Sequence, residues 1–408
     1  MVKSRYITFA INNKRFLSFG LALAFFSSFG QTYFIGLFGS DIREEFNLTH
    51  GGFGSTYTLA TGVSAAVLIW VGRLIDKIDL RLFTLGSCLL LTGACFMIGF
   101  AEGITLLGIA LFTLRLSGQG LMTHIYSTAM GRYFNKDRGK ALSIATLGHP
   151  LGEAILPSIV VILISIIGWQ ETWIAFGFFN ILLLLPLVIW LLKGQKERDV
   201  QLSRAILKTK NIKIKDWSII EVLQDIRFFA VLGVILAPAF LLTGVFFHQA
   251  HLADEKNWTM VWLATSFSAF AASSVFTMLV SGLLIDKFGA TKTLLVMPIP
   301  LAVAMVIMAY SNHLIAAPFL MLSCGVCVGM VFTSGAAIWP ELYGEKNLGS
   351  IRALVTALII GASAISPAIF GFLIDEGTLM SQLALGGLGW CLISAVFLLC
   401  VLMRKGFN

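Results

Sequence analysis

Twelve apolar stretches, each bounded by charged or turn-forming residues, recur along this chain. They lie near 16–38, 51–71, 82–100, 104–130, 139–167, 172–192, 227–249, 259–281, 293–310, 314–338, 351–373 and 380–402. A helix needs about 20 apolar residues to cross roughly 30 Å of hydrocarbon, whereas a transmembrane strand needs about 10. Stretches of this length therefore predict membrane-spanning helices, which satisfy their own backbone groups where no water can. Composition agrees: 57% of the 408 residues are hydrophobic and 12% charged, against about 25% charged in soluble domains. The expected class is an all-α polytopic membrane protein with twelve transmembrane helices.

The first stretch follows Lys3, Arg5, Lys14 and Arg15, as a secretory signal would. Its apolar run, FLSFGLALAFFSSFGQTYFIGLF, is longer than a signal's and lacks a small-residue cleavage site, so it reads as an uncleaved first helix. With both termini cytoplasmic, Arg43 and Lys256 fall outside, Arg115 lies within a span, and the other Lys and Arg residues fall inside. That asymmetry is the positive-inside pattern. The net charge of +8 thus reports topology and not nucleic-acid binding. A bacterial inner membrane is the expected location. All six cysteines, Cys88, Cys95, Cys324, Cys327, Cys391 and Cys400, lie in spans and read as packing thiols, not a metal or redox site.

Internal repetition organises the chain. GRLIDKIDLR at 72–81 reappears as GLLIDKFGATK at 282–292, each after an even-numbered span. Gly72 and Gly282 would permit the tight interhelical turn. Asp76 and Asp286 would cap a helix or neutralise basic neighbours. A fainter pair, RYFNKDRGKALS at 132–143 and ELYGEKNLGSIRAL at 341–354, leads into helices 5 and 11, each carrying a proline beside Gly or Ser. The expected organisation is an N-terminal six-helix bundle over 1–192, a basic cytoplasmic linker over 193–226 and a C-terminal six-helix bundle over 227–408.

These two matched loops, on twelve spans split by a basic central segment, resemble the major facilitator superfamily over essentially the whole chain. RLSGQG at 115–120 is similar to the superfamily's fourth-helix motif, and RYFNKDRGKALSIATLG at 132–148 to the monocarboxylate-porter and oxalate/formate-exchanger branches. Two features depart from the pattern: helix 1 lacks the acidic-Gly signature of animal monocarboxylate porters, and Asp79 replaces the glycine usual in the first loop. The resemblance implies two pseudo-symmetric bundles (the major facilitator fold), a substrate site near the midplane and a monomer as the working form.

Ionisable groups inside spans mark function by default. At 1.5 Å per residue, Arg115 on helix 4 and Glu153 on helix 5 both sit roughly 20 Å from the inner edge. Gln119 and His149 form a second level one turn closer to it. Antiparallel neighbours would place Arg115 opposite Glu153 and Gln119 opposite His149. The Arg115–Glu153 pair reads either as a permanent bridge between helices or as a switch that frees Arg115 for an anion when Glu153 is protonated. Gln31 and Tyr33 of helix 1 are candidate substrate contacts or ordinary polar packing. His149 is a candidate proton relay, and His124 a weaker one. His248, Gln249 and His251 read as an outer-gate cluster. Gly148 with Gly152, and Gly325 with Gly329, are spaced for close helix packing. Arg352 is placed to close the inner end or pair with Asp286, and Arg132 to pair with Asp76.

No phosphate-binding G-x-x-x-x-G-K-[ST] loop, zinc-protease motif or nucleophile elbow occurs, so neither ATP-driven pumping nor an enzyme is indicated. No cofactor is called for. The expected function is secondary transport of a small organic anion, a carboxylate, coupled to protons across the bilayer. The competing reading is proton-driven efflux of a drug or metabolite.

Overall fold

The computed structural model describes residues 8–134, 137–195, 219–344 and 348–405. The described chain is helical, with no strand among those residues. Among the described residues, eleven helices are long and apolar enough to cross a membrane, and a bent pair supplies a twelfth span. In chain order they are α1 (Lys14–Gly30 with Thr32–Glu45), α2 (His50–Asp76), α3 (Leu80–Gly99), α4 (Ile104–Tyr133), α5 (Arg138–Ile167) and α6 (Trp169–Leu191). They continue as α7 (Ile226–Phe247), α8 (Met260–Phe288), α9 (Ala290–Tyr310), α10 (Ala316–Tyr343), α11 (Ile351–Asp375) and α12 (Met380–Met403). The expected linker at 193–226 lies for the most part outside the described residues. Large apolar side chains such as Trp70, Ile166, Leu182 and Leu283 are more than two-thirds exposed. Scattered over helices of this hydropathy, they form a surface whose solvent is lipid.

By packing, the chain forms two compact units, Met1–Phe38 with Leu59–Asn211 and Gly39–Thr58 with Ile212–Asn408. In the first, α1 packs on α4 and α5, and α3 packs on α6. An aromatic cluster joins α1 to α6: Phe34 meets Trp173 edge-on at 5.5 Å and Phe38 lies 4.7 Å from the same ring. In the second, α8 packs along α10, α7 on α11 and α12, and α9 on α12.

Small residues set the closest helix crossings. On α5, a Cβ added to Gly148 would lie 2.2 Å from Leu21 O, and one on Gly152 would lie 2.2 Å from Ser28 Oγ. On α10, Gly325 and Gly329 meet Phe270 O and Ser274 O at 2.2 and 2.5 Å in the same way. Both glycine pairs read from spacing alone therefore sit at contacts that admit no side chain.

Residues 39–58, placed by the sequence in the N-terminal bundle, pack with the second unit. A Cβ on Gly54 would strike Pro367 O at 2.3 Å, and one on Gly371 would strike His50 O at 2.4 Å. Thr58 Oγ1 donates to Ala364 O at 2.7 Å.

The two repeated loops solve the same turn differently. Asp79 caps α3, its Oδ1 accepting from Arg81 N at 2.9 Å and Leu82 N at 3.2 Å. At the matching position Gly289 turns the chain with φ +85°, and the cap comes from α10. There Glu341 accepts from Ala290 N at 2.8 Å and from Thr291 Oγ1 at 2.8 Å. This corrects two expectations. Gly282 lies inside α8 with open space around it, so Gly289 makes the turn instead. Capping falls to Asp79 and Glu341, not to Asp76 or Asp286. Losing such a cap costs about 1 kcal/mol. Asp79→Ala and Glu341→Gln should each lower the melting temperature in detergent by a few degrees, about 3 °C, with transport kept.

Candidate functional site

The site is built around a break in α1. Residues Ser27–Gly30 wind as a 3-10 turn, Gln31 is extended at φ −84° and ψ 150°, and helix resumes at Thr32. The two arms bend by 45°. A break of this kind frees backbone carbonyls that a continuous helix would occupy. One of them, Gly30 O, faces α4.

On α4 the segment Arg115–Met122 is π-helical, with the wider i→i+5 turn. Gly118 in RLSGQG lets this turn lie directly on α1. A Cβ on Gly30 would lie 2.5 Å from Leu114 O and 2.7 Å from Gln119 N, and one on Gly118 would lie 2.7 Å from Gly30 N. Backbone meets backbone here. Arg115 then completes the junction. Its Nη1 donates to Gly30 O at 2.8 Å and its Nε to Thr61 Oγ1 of α2 at 3.1 Å, with the side chain 2% exposed.

On another face of α1, Ser27 and Ser28 meet α5. Ser27 Oγ lies 3.3 Å from His149 Nδ1, and Tyr126 Oη of α4 lies 3.0 Å from His149 Nε2. The buried Tyr33 ring stands beside Ser28 and Glu153. Glu153 is half-buried, and the ion pairs among the described residues do not include it.

The expected pairings across α4 and α5 are thereby corrected. Among the described residues no ion pair joins Arg115 to Glu153, and α1 is clamped on one face by Gly118 and on another by Gly148 and Gly152. The Gly30 carbonyl takes the guanidinium. His149 meets Tyr126, not Gln119, whose half-buried side chain belongs to the π-helical turn against α1. Gln31 contributes its backbone: its N–H donates to Ser28 O at 2.9 Å and its carbonyl accepts from Phe34 N at 3.2 Å. Thr61 and Tyr126 were not singled out in the sequence. Each is an isolated hydroxyl in a helix, and no pattern marks it.

At the loop end of the first unit, Arg132 forms an ion pair with Asp76 and reaches Ile75 O at 3.4 Å. With the two side chains 31% and 66% exposed, such a pair contributes at most about 1 kcal/mol. His124 Nε2 lies 3.0 Å from Gly72 O, tying α4 to the same turn. The second copy differs. Asp286 is exposed on the last turn of α8, Arg352 is exposed on α11, and no ion pair joins them among the described residues. Glu341 has taken over that corner.

A family model described as Major Facilitator Superfamily matches residues 20–367 and 229–407. The chain belongs to that superfamily. It is a secondary transporter, not an enzyme, and an integral multi-pass membrane protein. The chain is 22% identical over 321 residues to a probable nitrate transporter NarT of Staphylococcus epidermidis, covering 78% of each chain. It is 21% identical over 362 residues to the purine ribonucleoside efflux pump NepI of Salmonella typhimurium, covering 87% of this chain and 86% of that one. Among solved structures, the nucleoside transporter NupG superposes with a TM-score of 0.71 at 12% identity, over 96% of this chain and 100% of that one. A bacterial homologue of the human lysosomal transporter Spinster gives 0.62 at 15% identity, over 97% of each. At these identities the likeness to the solved structures is one of fold.

Proposed function

We propose that this superfamily member carries a small organic anion, a carboxylate, together with a proton. In this reading Glu153 is the proton site and Arg115 the fixed positive charge beside the path. One observation supports it above others: Arg115 and Glu153 stand on different faces of the α1 break, and no ion pair joins them among the described residues. A carboxylate free of an ion pair takes and releases a proton without first breaking one. Arg115 keeps its charge at any working pH and gives the region a positive potential that favours anions. Similarity to nitrate transporters, whose solute is an anion, adds support.

Transport would proceed by alternating access of two bundles, 1–192 and 227–408, joined by the basic segment 193–226. The chain would work as a monomer with both termini on the cytoplasmic side of a bacterial inner membrane. Gln31, Tyr33 and His149 would border the path, and Asp76 with Arg132 would hold one end closed. Similarity to a purine ribonucleoside efflux pump favours a second reading, proton-driven export of a neutral or cationic metabolite.

Purified protein in liposomes loaded with a pH-sensitive dye separates the two. Added mono- and dicarboxylates should acidify the lumen. Alkalinisation driven only by nucleosides or lipophilic cations, in liposomes loaded acidic, would replace the anion reading with the second.

A further inference from the structure

A second cluster of titratable groups lies far from Glu153 in the chain, where α7 ends and α2 begins. A small cavity there is lined by Arg43, His50, His248 and His251 and walled by Phe53 and Phe247. All six residues belong to the second unit.

The hydrogen bonds fix how the imidazoles are protonated. His248 Nε2 lies 2.9 Å from Pro367 O, which can only accept, so that nitrogen carries the hydrogen. Burial pushes His248 down to about 3, so the ring stays neutral and its Nδ1 is a bare acceptor. His50 Nδ1 lies 3.4 Å from that acceptor and is therefore the donor. The chain of bonds leaves His50 Nε2 as its unprotonated end. A proton added at Nε2 breaks none of these bonds.

The surrounding charges are arranged to leave a cation unmet. Asp375 of α11 is spent on the start of α2, accepting from His50 N at 2.9 Å and Gly51 N at 2.8 Å. Glu255 is likewise spent on α12, accepting from Met380 N at 2.5 Å and Ser381 N at 3.0 Å. Arg43 feels Asp375 and Asp254 only at longer range, and the ion pairs among the described residues do not include it. The His251 ring packs edge-on against His50 at 4.6 Å, and burial lowers its pKa.

We propose that Arg43 and the Nε2 edge of His50 form a site that takes up one small planar oxyanion together with one proton. The planar guanidinium fork matches two oxygens of such an anion, and protonated His50 supplies a further donor. The groups facing His50 are Arg43, Asp375, His248 and His251, with Asp254 and Glu255 acting on His251. Protonation of His50 adds a second positive charge beside Arg43, a cost that the anion removes, so each favours the other. This site rests on the anion reading above and would serve as its first or last binding station.

The test is calorimetric titration of formate into the full chain in nanodiscs, in buffers of different ionisation enthalpy, which counts protons taken up per anion. Native protein should take up close to one proton per formate, with affinity rising up to about tenfold per unit fall in pH. Arg43→Gln should weaken binding at least about tenfold, through loss of a charged hydrogen-bonded contact. Arg43→Lys should fall between. His50→Gln should bind weakly with no proton uptake. Unchanged affinity in Arg43→Gln, or proton uptake persisting in His50→Gln, would overturn this site while leaving formate transport to support the carrier reading. Formate not bound by the native chain, with no mono- or dicarboxylate acidifying the liposome lumen, would overturn both.

Discussion

Arg115→Met should lose transport by about a hundredfold while melting within about 4 °C of the native protein. The two effects separate because they draw on different terms. A buried guanidinium is costly to desolvate, so removing it recovers part of what the loss of its hydrogen bonds takes from stability. The hydrogen bonds to Gly30 O and Thr61 Oγ1 hold the α1 break against α4 and α2. Two charge-assisted bonds at about 1.5 kcal/mol each amount to roughly a hundredfold in the population of the intact junction. Arg115→Lys keeps the charge, but a single ammonium lacks the fork that serves both acceptors. It should transport at an intermediate rate. Thr61→Val removes only the Nε acceptor and should be the mildest of the three. Initial rates in liposomes, with thermal melts read by tryptophan fluorescence, check the order. A uniform loss of melting temperature and rate together would make Arg115 a structural brace alone.

Glu153→Gln should abolish accumulation driven by a pH gradient while leaving exchange of labelled for unlabelled substrate within about threefold of native, a difference below about 1 kcal/mol. Glutamine keeps the shape of a protonated glutamate and holds that state permanently. Exchange needs the loaded carrier to turn over but needs no proton release, whereas net uptake needs both. No ion pair is broken by the substitution, because none joins Glu153 to a cation among the described residues. Neighbouring Tyr33 and His149 remain in place to report on it. Tyr33→Phe should shift the pH dependence of net uptake more than its maximum rate.

Much of this fold is written in the sequence, because lipid enforces a simple rule. The apolar stretches predict the spans well, since each must satisfy its own backbone over a fixed thickness. The glycine pairs on α5 and α10 were legible from spacing, and Asp76 with Arg132 from the loop repeat. Asp79, a departure from its repeat, makes sense once capping is considered: where Arg132 stands on α4, the matching position on α10 is Glu341, which caps the second loop.

The site was legible in depth but not in direction. Counting residues at 1.5 Å each placed Arg115 and Glu153 at one level, yet which way a side chain faces depends on the local turn. The π-helical segment Arg115–Met122 shifts that facing, and nothing in RLSGQG distinguishes it from an α-helix. The break at Gln31 has no proline to announce it either. It arises where Gly30 meets Gly118, a contact between segments nearly ninety residues apart. His50 and Arg43 were passed over for a similar reason: Arg43 counted only as a rare outside charge, and His50 was not singled out.

The central claim, a proton site at Glu153 in an anion carrier, is tested most directly by counting protons moved per carboxylate in liposomes. Native protein and Glu153→Gln would be compared under the same inward anion gradient. The expected result is luminal acidification in the native protein and none in Glu153→Gln, with labelled exchange preserved in both. Acidification of equal size and pH dependence in Glu153→Gln would contradict the claim and move the proton site elsewhere.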